Sequence, residues 1–139
     1  MRNLMTQKKL ALVIILALMF LTVGFGNKMV GGPSEVSFQR VQEEHLPDEV
    51  KNWLEKNIIE YGNKTLIYED ELYILVAYGE KPTDGYSVEI NKVIKQDGKI
   101  MIYSHFQDPA PGYELNDVIT YPYDLIVIDN QGLPVIFKH

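Results

Sequence analysis

The chain has 139 residues, with 13 Lys and Arg against 19 Asp and Glu and a formal net charge of −6. That length fits one domain with a single hydrophobic core once a leader is set aside. No cysteine occurs, which excludes disulfides, thiolate metal sites and cysteine nucleophiles.

Arg2, Lys8 and Lys9 precede an uncharged run from Leu10 to Gly26, and Lys28 ends it. A basic flank before an apolar stretch is the pattern of a signal peptide or signal anchor. The run meets the lower limit of about 17 residues for crossing the hydrocarbon core. Residues 1–26 are therefore expected to target the chain to the membrane. The positive-inside rule then places everything after Lys28 outside the cytoplasm, anchored through Leu10–Gly26 or secreted after cleavage. From Asn27 onward there are 10 basic and 19 acidic side chains, a net charge of −9. Such a domain is repelled by nucleic acid, so no nucleic-acid partner is expected.

Residues 27–34, rich in Gly, Pro and Ser, read as a spacer, and residues 35–139 as the exported domain. Val36, Phe38 and Val41 suggest a first strand with poor alternation. A helix is expected next. Pro47 suits a first turn, Asp48 and Glu49 suit the positive end of the dipole, and Gly62 offers a stop. Val50, Trp53, Leu54, Ile58 and Tyr61 recur at three- and four-residue steps and form one buried stripe. Trp53, the sole tryptophan, is expected to anchor that helix in the core.

Beyond Gly62 the pattern is of strands. Leu66–Tyr68 and Leu72–Tyr78 flank Glu69-Asp70-Glu71, and Tyr86–Ile94 and Ile100–Phe106 flank Gln96-Asp97-Gly98. Leu125–Ile128 and Leu133–Phe137 flank Asp129-Asn130-Gln131-Gly132. Each pair reads as a hairpin. Leu72–Val76 is apolar on both faces, as in a central strand. The expected fold is α+β: an antiparallel, curled or sandwich-like sheet with one packed amphipathic helix, preceded by an N-terminal hydrophobic helix.

Catalytic patterns are scarce. His45, His105 and His139 share no metal-ligand spacing. Ser104 and His105 are strand neighbours that point to opposite faces. Glu69-Asp70-Glu71 lacks the glycine-punctuated spacing of a calcium loop. No catalytic residue, metal or cofactor is expected.

The informative stretch is G-E-K-P-T-D-G-Y, Gly79 to Tyr86. Pro82 fixes its own φ and extends Lys81, while Asp84 and Gly85 can take the positive φ of a reversal. Asp108-Pro109-Ala110-Pro111-Gly112-Tyr113 and Thr120-Tyr121-Pro122-Tyr123 follow. Rigid loops with tyrosines give contact area at low ordering cost. The candidate partner-binding set is Lys81, Pro82, Thr83, Asp84, Gly85, Tyr86, Tyr121, Pro122 and Tyr123, with the two segments expected side by side.

The order G-x-K-P-T-x-G-Y, a hairpin, a proline-rich stretch, then T-Y-P-Y and an apolar strand resembles the C-terminal domain of the PrcB family, over Leu72 to Ile128. Asp84 stands where that family usually has a second glycine, and the lipoprotein cysteine of some members is absent. The resemblance implies an exported, non-catalytic subunit that docks on an exported protein such as a protease. Lys81–Tyr86 also resembles the N-P-T-T-G-Y loop of chagasin-type inhibitors of cysteine proteases, and Tyr121-Pro122-Tyr123 is loosely similar to their later R-P-W-type loop. That likeness implies a protease inhibitor. A hydrolase or ligand-binding domain whose site is assembled only by the fold is the third reading.

The topology has a direct check. Cysteines introduced at Ser37 or Asn130 should react with a membrane-impermeant maleimide in intact cells. Labelling only after lysis would overturn export.

Overall fold

The computed structural model describes residues 31–139, and from Gly32 onward they form one compact unit. The Leu10–Gly26 segment lies outside the described residues. Among the described residues, no helix is long and apolar enough to cross a membrane.

Two four-stranded sheets form a sandwich. One has the order β1 (Ser34–Glu35), β5 (Ser87–Gln96), β6 (Lys99–Gln107), β8 (Val135–Lys138). The other runs β2 (Gln39–Arg40), β7 (Tyr123–Asp129), β4 (Glu71–Tyr78), β3 (Tyr61–Tyr68). Among the described residues a single α-helix, α1 (Asp48–Asn57), covers the outer face of the second sheet. The α+β reading therefore holds, with most strand pairs antiparallel.

The double-sided apolar run predicted for Leu72–Val76 is β4, paired on one side with β3 and on the other with β7. Leu72, Ile74 and Val76 point between the sheets, where they meet Ile90, Val93, Ile100, Ile102, Ile126 and Ile128. Tyr73, Leu75 and Ala77 point the other way, onto Leu46, Val50 and Leu54 from the helix layer. Alternation across the strand thus feeds two cores at once.

The structure corrects several expectations. Val36 and Phe38 do not sit in one strand. Ser34–Glu35 pairs with β5 and Gln39–Arg40 with β7, so the chain crosses between sheets there and drops Val36 and Phe38 into the gap. Its poor alternation is the trace of that crossing. Ser34, at the end of the expected spacer, already pairs with Lys95. Helix α1 stops at Asn57 and is capped by the Ile58 amide on the Leu54 carbonyl, while Gly62 lies inside β3. Asn57 Nδ2 also caps the last turn by donating to the Trp53 carbonyl at 2.6 Å.

The third expected hairpin is absent. β8 leaves β7 after Asn130 and pairs parallel with β6 in the opposite sheet. Both edges of β7 are already occupied, by β2 and β4, so β8 has no partner site beside it. Trp53 is half-buried at the rim of the helix layer, whereas Val50 and Leu54 are fully buried. The expected stripe holds for Val50 and Leu54, but Ile58 caps the helix, Tyr61 lies exposed in β3, and Trp53 is not the core anchor.

Leu54→Ala should therefore cost about 2–5 kcal/mol, in the range of buried leucine truncations. Trp53→Ala should cost less than Leu54→Ala, because part of the indole is already in water. Urea melts of the full chain in detergent would check the order, and the reverse order would put the indole in the core.

Candidate functional site

Gly79–Tyr86 leaves β4 in one sheet and enters β5 in the other, so it is a crossover and not the hairpin turn that its composition suggested. The β6–β7 connection crosses back at the same end of the sandwich. Both strand-to-strand crossings of the inner strands thus meet in one place, and their backbones pair. The Lys81 amide donates to the Thr120 carbonyl at 2.8 Å, and the Thr120 amide returns the bond at 2.9 Å. Thr120 Oγ1 donates to the Thr83 carbonyl at 2.8 Å. The Tyr78 amide donates to the Pro122 carbonyl at 2.8 Å, and Tyr121 Oη to Glu80 Oε2 at 2.9 Å. The two segments singled out by sequence lie side by side.

Asp84 has a role that sequence reasoning missed. Its carboxylate accepts the Asn116 amide at 3.0 Å and Asn116 Nδ2 at 2.7 Å, while its own amide donates to the Asn116 carbonyl at 3.3 Å. The residue that interrupts the glycine pattern therefore clamps the neighbouring loop. Those hydrogen bonds hold the Asp84 carboxyl below its ordinary value of 3.8. Of Asp84 and Gly85, only Gly85 takes a positive φ, of 86°. A Cβ there would lie 3.1 Å from the Pro109 ring and from Tyr113 Cε1, so the D-P-A-P-G-Y segment closes over the turn. Gly79, with φ of 75°, has Tyr61 N only 2.8 Å from where a Cβ would be. Glycine is required at both positions.

Aromatic rings line the same end. Tyr78 contacts Phe106 at 4.8 Å between centroids and Tyr86 edge-on at 5.9 Å, and Tyr61 meets Phe106 at 5.5 Å. Lys81 Nζ lies 3.7 Å above the Tyr78 ring and 5.2 Å from that of Tyr86, a cation–π arrangement. Tyr78 Oη donates to Asp108 Oδ1 at 2.5 Å, and that hydrogen bond, helped by burial, pushes its pKa to about 12.

The candidate residues divide. Pro82 and Tyr121 are exposed, and Lys81, Thr83 and Asp84 are half-exposed. Tyr86 is half-buried in the ring cluster, and Pro122 is half-buried with its carbonyl engaged. Tyr123, opposite Ala77, turns onto the helix layer, where burial raises its pKa further than the neighbouring Glu43 and Glu44 do. Most of the exposed large hydrophobic side chains here, Tyr113 and Tyr121 apart, are ones no motif marked. Of the eight exposed large hydrophobics among the described residues, seven belong to this end, and Ile67 alone lies at the far end. The signal in the sequence was an apolar pair, Val118-Ile119, inside a stretch without strand periodicity.

A second cluster joins the sheet edges. Ser104 Oγ lies 2.8 Å from His139 Nδ1, and Asn63 Nδ2 lies 3.0 Å from His139 Nε2. Ser104 is buried in mid-strand, and the three residues tie the β8 end to β3. His105, its neighbour in sequence, is exposed on the opposite face. Among the described residues no group of three or more His, Asp or Glu converges where a metal could sit.

Residues 72–129 match the family model described as PrcB C-terminal. Over that segment, less than half of the chain, the sequence is similar to the PrcB C-terminal family. The segment runs from β4 to β7 and contains the two doubly covered strands, the β5–β6 hairpin and both crossovers. The helix, β3 and β8 lie outside the PrcB-matched segment. Comparison with curated proteins and with solved structures finds no match.

The clamp predicts an acid-sensitive loop junction. Because folding lowers the Asp84 pKa, its contribution is complete above the unfolded value of 3.8 and is lost as pH falls through the lower folded value. The Asn116 amide resonance should titrate below pH 3.8 and stop titrating in Asp84→Asn. A midpoint at or above that value would break the assignment.

Proposed function

We propose that the chain is a non-catalytic, extracytoplasmic subunit that docks on an exported protein through the crossover end of its sandwich. The PrcB C-terminal match supports a protease-complex subunit-like module with a protein partner. The single observation that carries the docking reading is the concentration of exposed apolar side chains on loops whose backbones are already pinned. Monomeric proteins rarely display such a patch without using it, and ordering done before binding leaves more of the contact energy for affinity. The basic flank and apolar run at Leu10–Gly26 support the extracytoplasmic location and a membrane anchor.

A second reading has one observation in its favour. The two segments that resemble chagasin-type loops, Lys81–Tyr86 and Tyr121–Tyr123, are brought side by side by the backbone pairing of Lys81 with Thr120, as a cleft-blocking edge requires. A protease whose turnover is blocked by the chain would move the function from subunit to inhibitor.

Crosslinking in intact membranes, followed by mass spectrometry, tests the docking reading. Photo-crosslinkers at Ile119 and Tyr121 should yield a defined protein adduct, while one at Lys99, at the opposite end of the sandwich, should not. Val118→Asp with Ile119→Asp should abolish the adduct and leave the thermal midpoint within about 1–2 °C, since surface changes are usually within ±0.5 kcal/mol. Equal adducts from both ends would remove the crossover end as the docking surface.

A further inference from the structure

Resting on that docking reading, the structure carries the question one step further, to what the surface binds. The stretch from Tyr113 to Tyr121 is inverted relative to an ordinary surface loop. Two of its polar residues are engaged by the protein, Asn116 by Asp84 and Thr120 by Lys81 and Thr83, while Glu114 and Asp117 stay exposed. Its apolar residues face water, with Leu115 46 %, Val118 50 % and Ile119 59 % exposed. A further bond from the Val118 amide to the Asn116 carbonyl, at 2.8 Å, tightens the turn between them. Fixing the backbone at Asn116 and at Thr120 leaves the intervening aliphatic side chains no inward direction. Tyr113 and Tyr121 bracket them, and Ile59 and Tyr61 enter from the start of β3.

The charge around this patch is mainly negative. The two crossover connections carry Glu80, Asp84, Asp108, Glu114 and Asp117, against Lys81 alone. Glu114 and Asp117 are exposed and interleaved with Leu115 and Val118. The one ammonium is drawn over the Tyr78 ring. An apolar strip rimmed by carboxylates favours a partner that brings aliphatic or aromatic side chains together with cations. It disfavours an anionic lipid surface, which the same carboxylates repel.

We infer that the Tyr113–Tyr121 strip recognises a segment of a partner protein in which apolar side chains are flanked by Lys or Arg. Apolar burial supplies the affinity, and the flanking cations set orientation and association rate through Glu114 and Asp117.

Random short peptides displayed on phage, selected on the full chain in detergent micelles, test this without knowledge of the partner. Enriched peptides should carry net positive charge around at least one aromatic or aliphatic residue. Their synthetic forms should lose affinity about tenfold in Glu114→Lys with Asp117→Lys, and progressively as salt is raised. Val118→Asp with Ile119→Asp should abolish their binding. Peptides that depend on Val118 and Ile119 but are neutral or acidic would overturn the charge inference and leave the docking reading standing. Binders indifferent to Val118 and Ile119 would overturn both. Retention of the full chain on phosphatidylglycerol vesicles through Val118 and Ile119, with no peptide enriched, would also overturn the inference and put a membrane in the partner's place. Thermal midpoints of each variant within a few degrees of the parent are the control for folding.

Discussion

The structure depends on β4 being buried on both faces. Leu72, Ile74 and Val76 need the opposing sheet, and Tyr73, Leu75 and Ala77 need the helix, so neither covering layer is optional. At roughly 1.5–3 kcal/mol per buried large apolar side chain, these residues are a major part of what holds a domain of this size together. Once β4 is central, its neighbours β3 and β7 are set by pairing. The chain leaving Tyr78 then has no open position beside it in the same sheet. It must cross, and the chain returning to β7 must cross back at the same end. The loop cluster is thus a topological consequence of one doubly covered strand.

What keeps the crossover end in register is a buried carboxylate. Asp124, 8 % exposed at the start of β7, points between the sheets and accepts the Ile90 amide at 2.7 Å. Ile90 sits where the β5–β6 register shifts, at a bulge that leaves ladder groups unpaired. Arg40 completes the arrangement: its Nε reaches both Asp124 oxygens at 3.2 Å, and its Nη2 donates to the Ile90 carbonyl at 2.5 Å. A buried N–H without a partner costs about 1–3 kcal/mol. The carboxylate therefore makes the bulge tolerable, and the arginine makes the carboxylate tolerable. Residues from β2, β5 and β7 meet at that one point, so both sheets are fixed relative to each other directly beneath the T-Y-P-Y segment. Only the carboxylate of this pair is buried, the Arg40 side chain being about half exposed, so the pair's net contribution to stability is small.

How much of this was legible follows from the range of each interaction. Periodicity carries local burial, so the helix, the double-sided β4 and the Asp97-Gly98 hairpin could be read from neighbours within a few residues. Sheet membership is not local. β8 looks like the second arm of a hairpin, because Asn130-Gln131-Gly132 has turn composition; only the occupancy of both edges of β7 sends it to β6. The K-P-T-D-G-Y segment has hairpin composition for the same reason, and nothing within it says that its two strands lie in different layers. Trp53 shows a second limit, since a helical stripe gives the buried direction but not which residue stands at its rim. The partnership of Asp84 with Asn116 spans 32 positions and that of Arg40 with Asp124 spans 84. No spacing rule reaches that far. The adjacency of the two motif segments was legible because it needed only the direction of β4 and β7, which apolar patterning supplied.

The motifs that carry the family resemblance turn out to build the crossover end more than they decorate it. Gly79 and Gly85 make room for Tyr61, Pro109 and Tyr113; the Lys81 and Thr120 backbones pair; the Pro122 carbonyl caps the end of β4. Tyr123 faces the helix layer, and Tyr86 sits within the ring cluster. Lys81 stacks on that cluster where a sequence reading would have given it to a partner. Residues so engaged cannot also be rearranged to suit a ligand without loosening the end they hold. On the proposed docking reading, recognition is left to side chains that the scaffold does not need, the outward-facing Leu115, Val118 and Ile119 and the carboxylates between them. A family motif in this fold marks the platform. On that proposed reading the partner surface lies in the unpatterned stretch that the platform displays, so chains sharing K-P-T and T-Y-P-Y would present different surfaces wherever residues 113–121 differ.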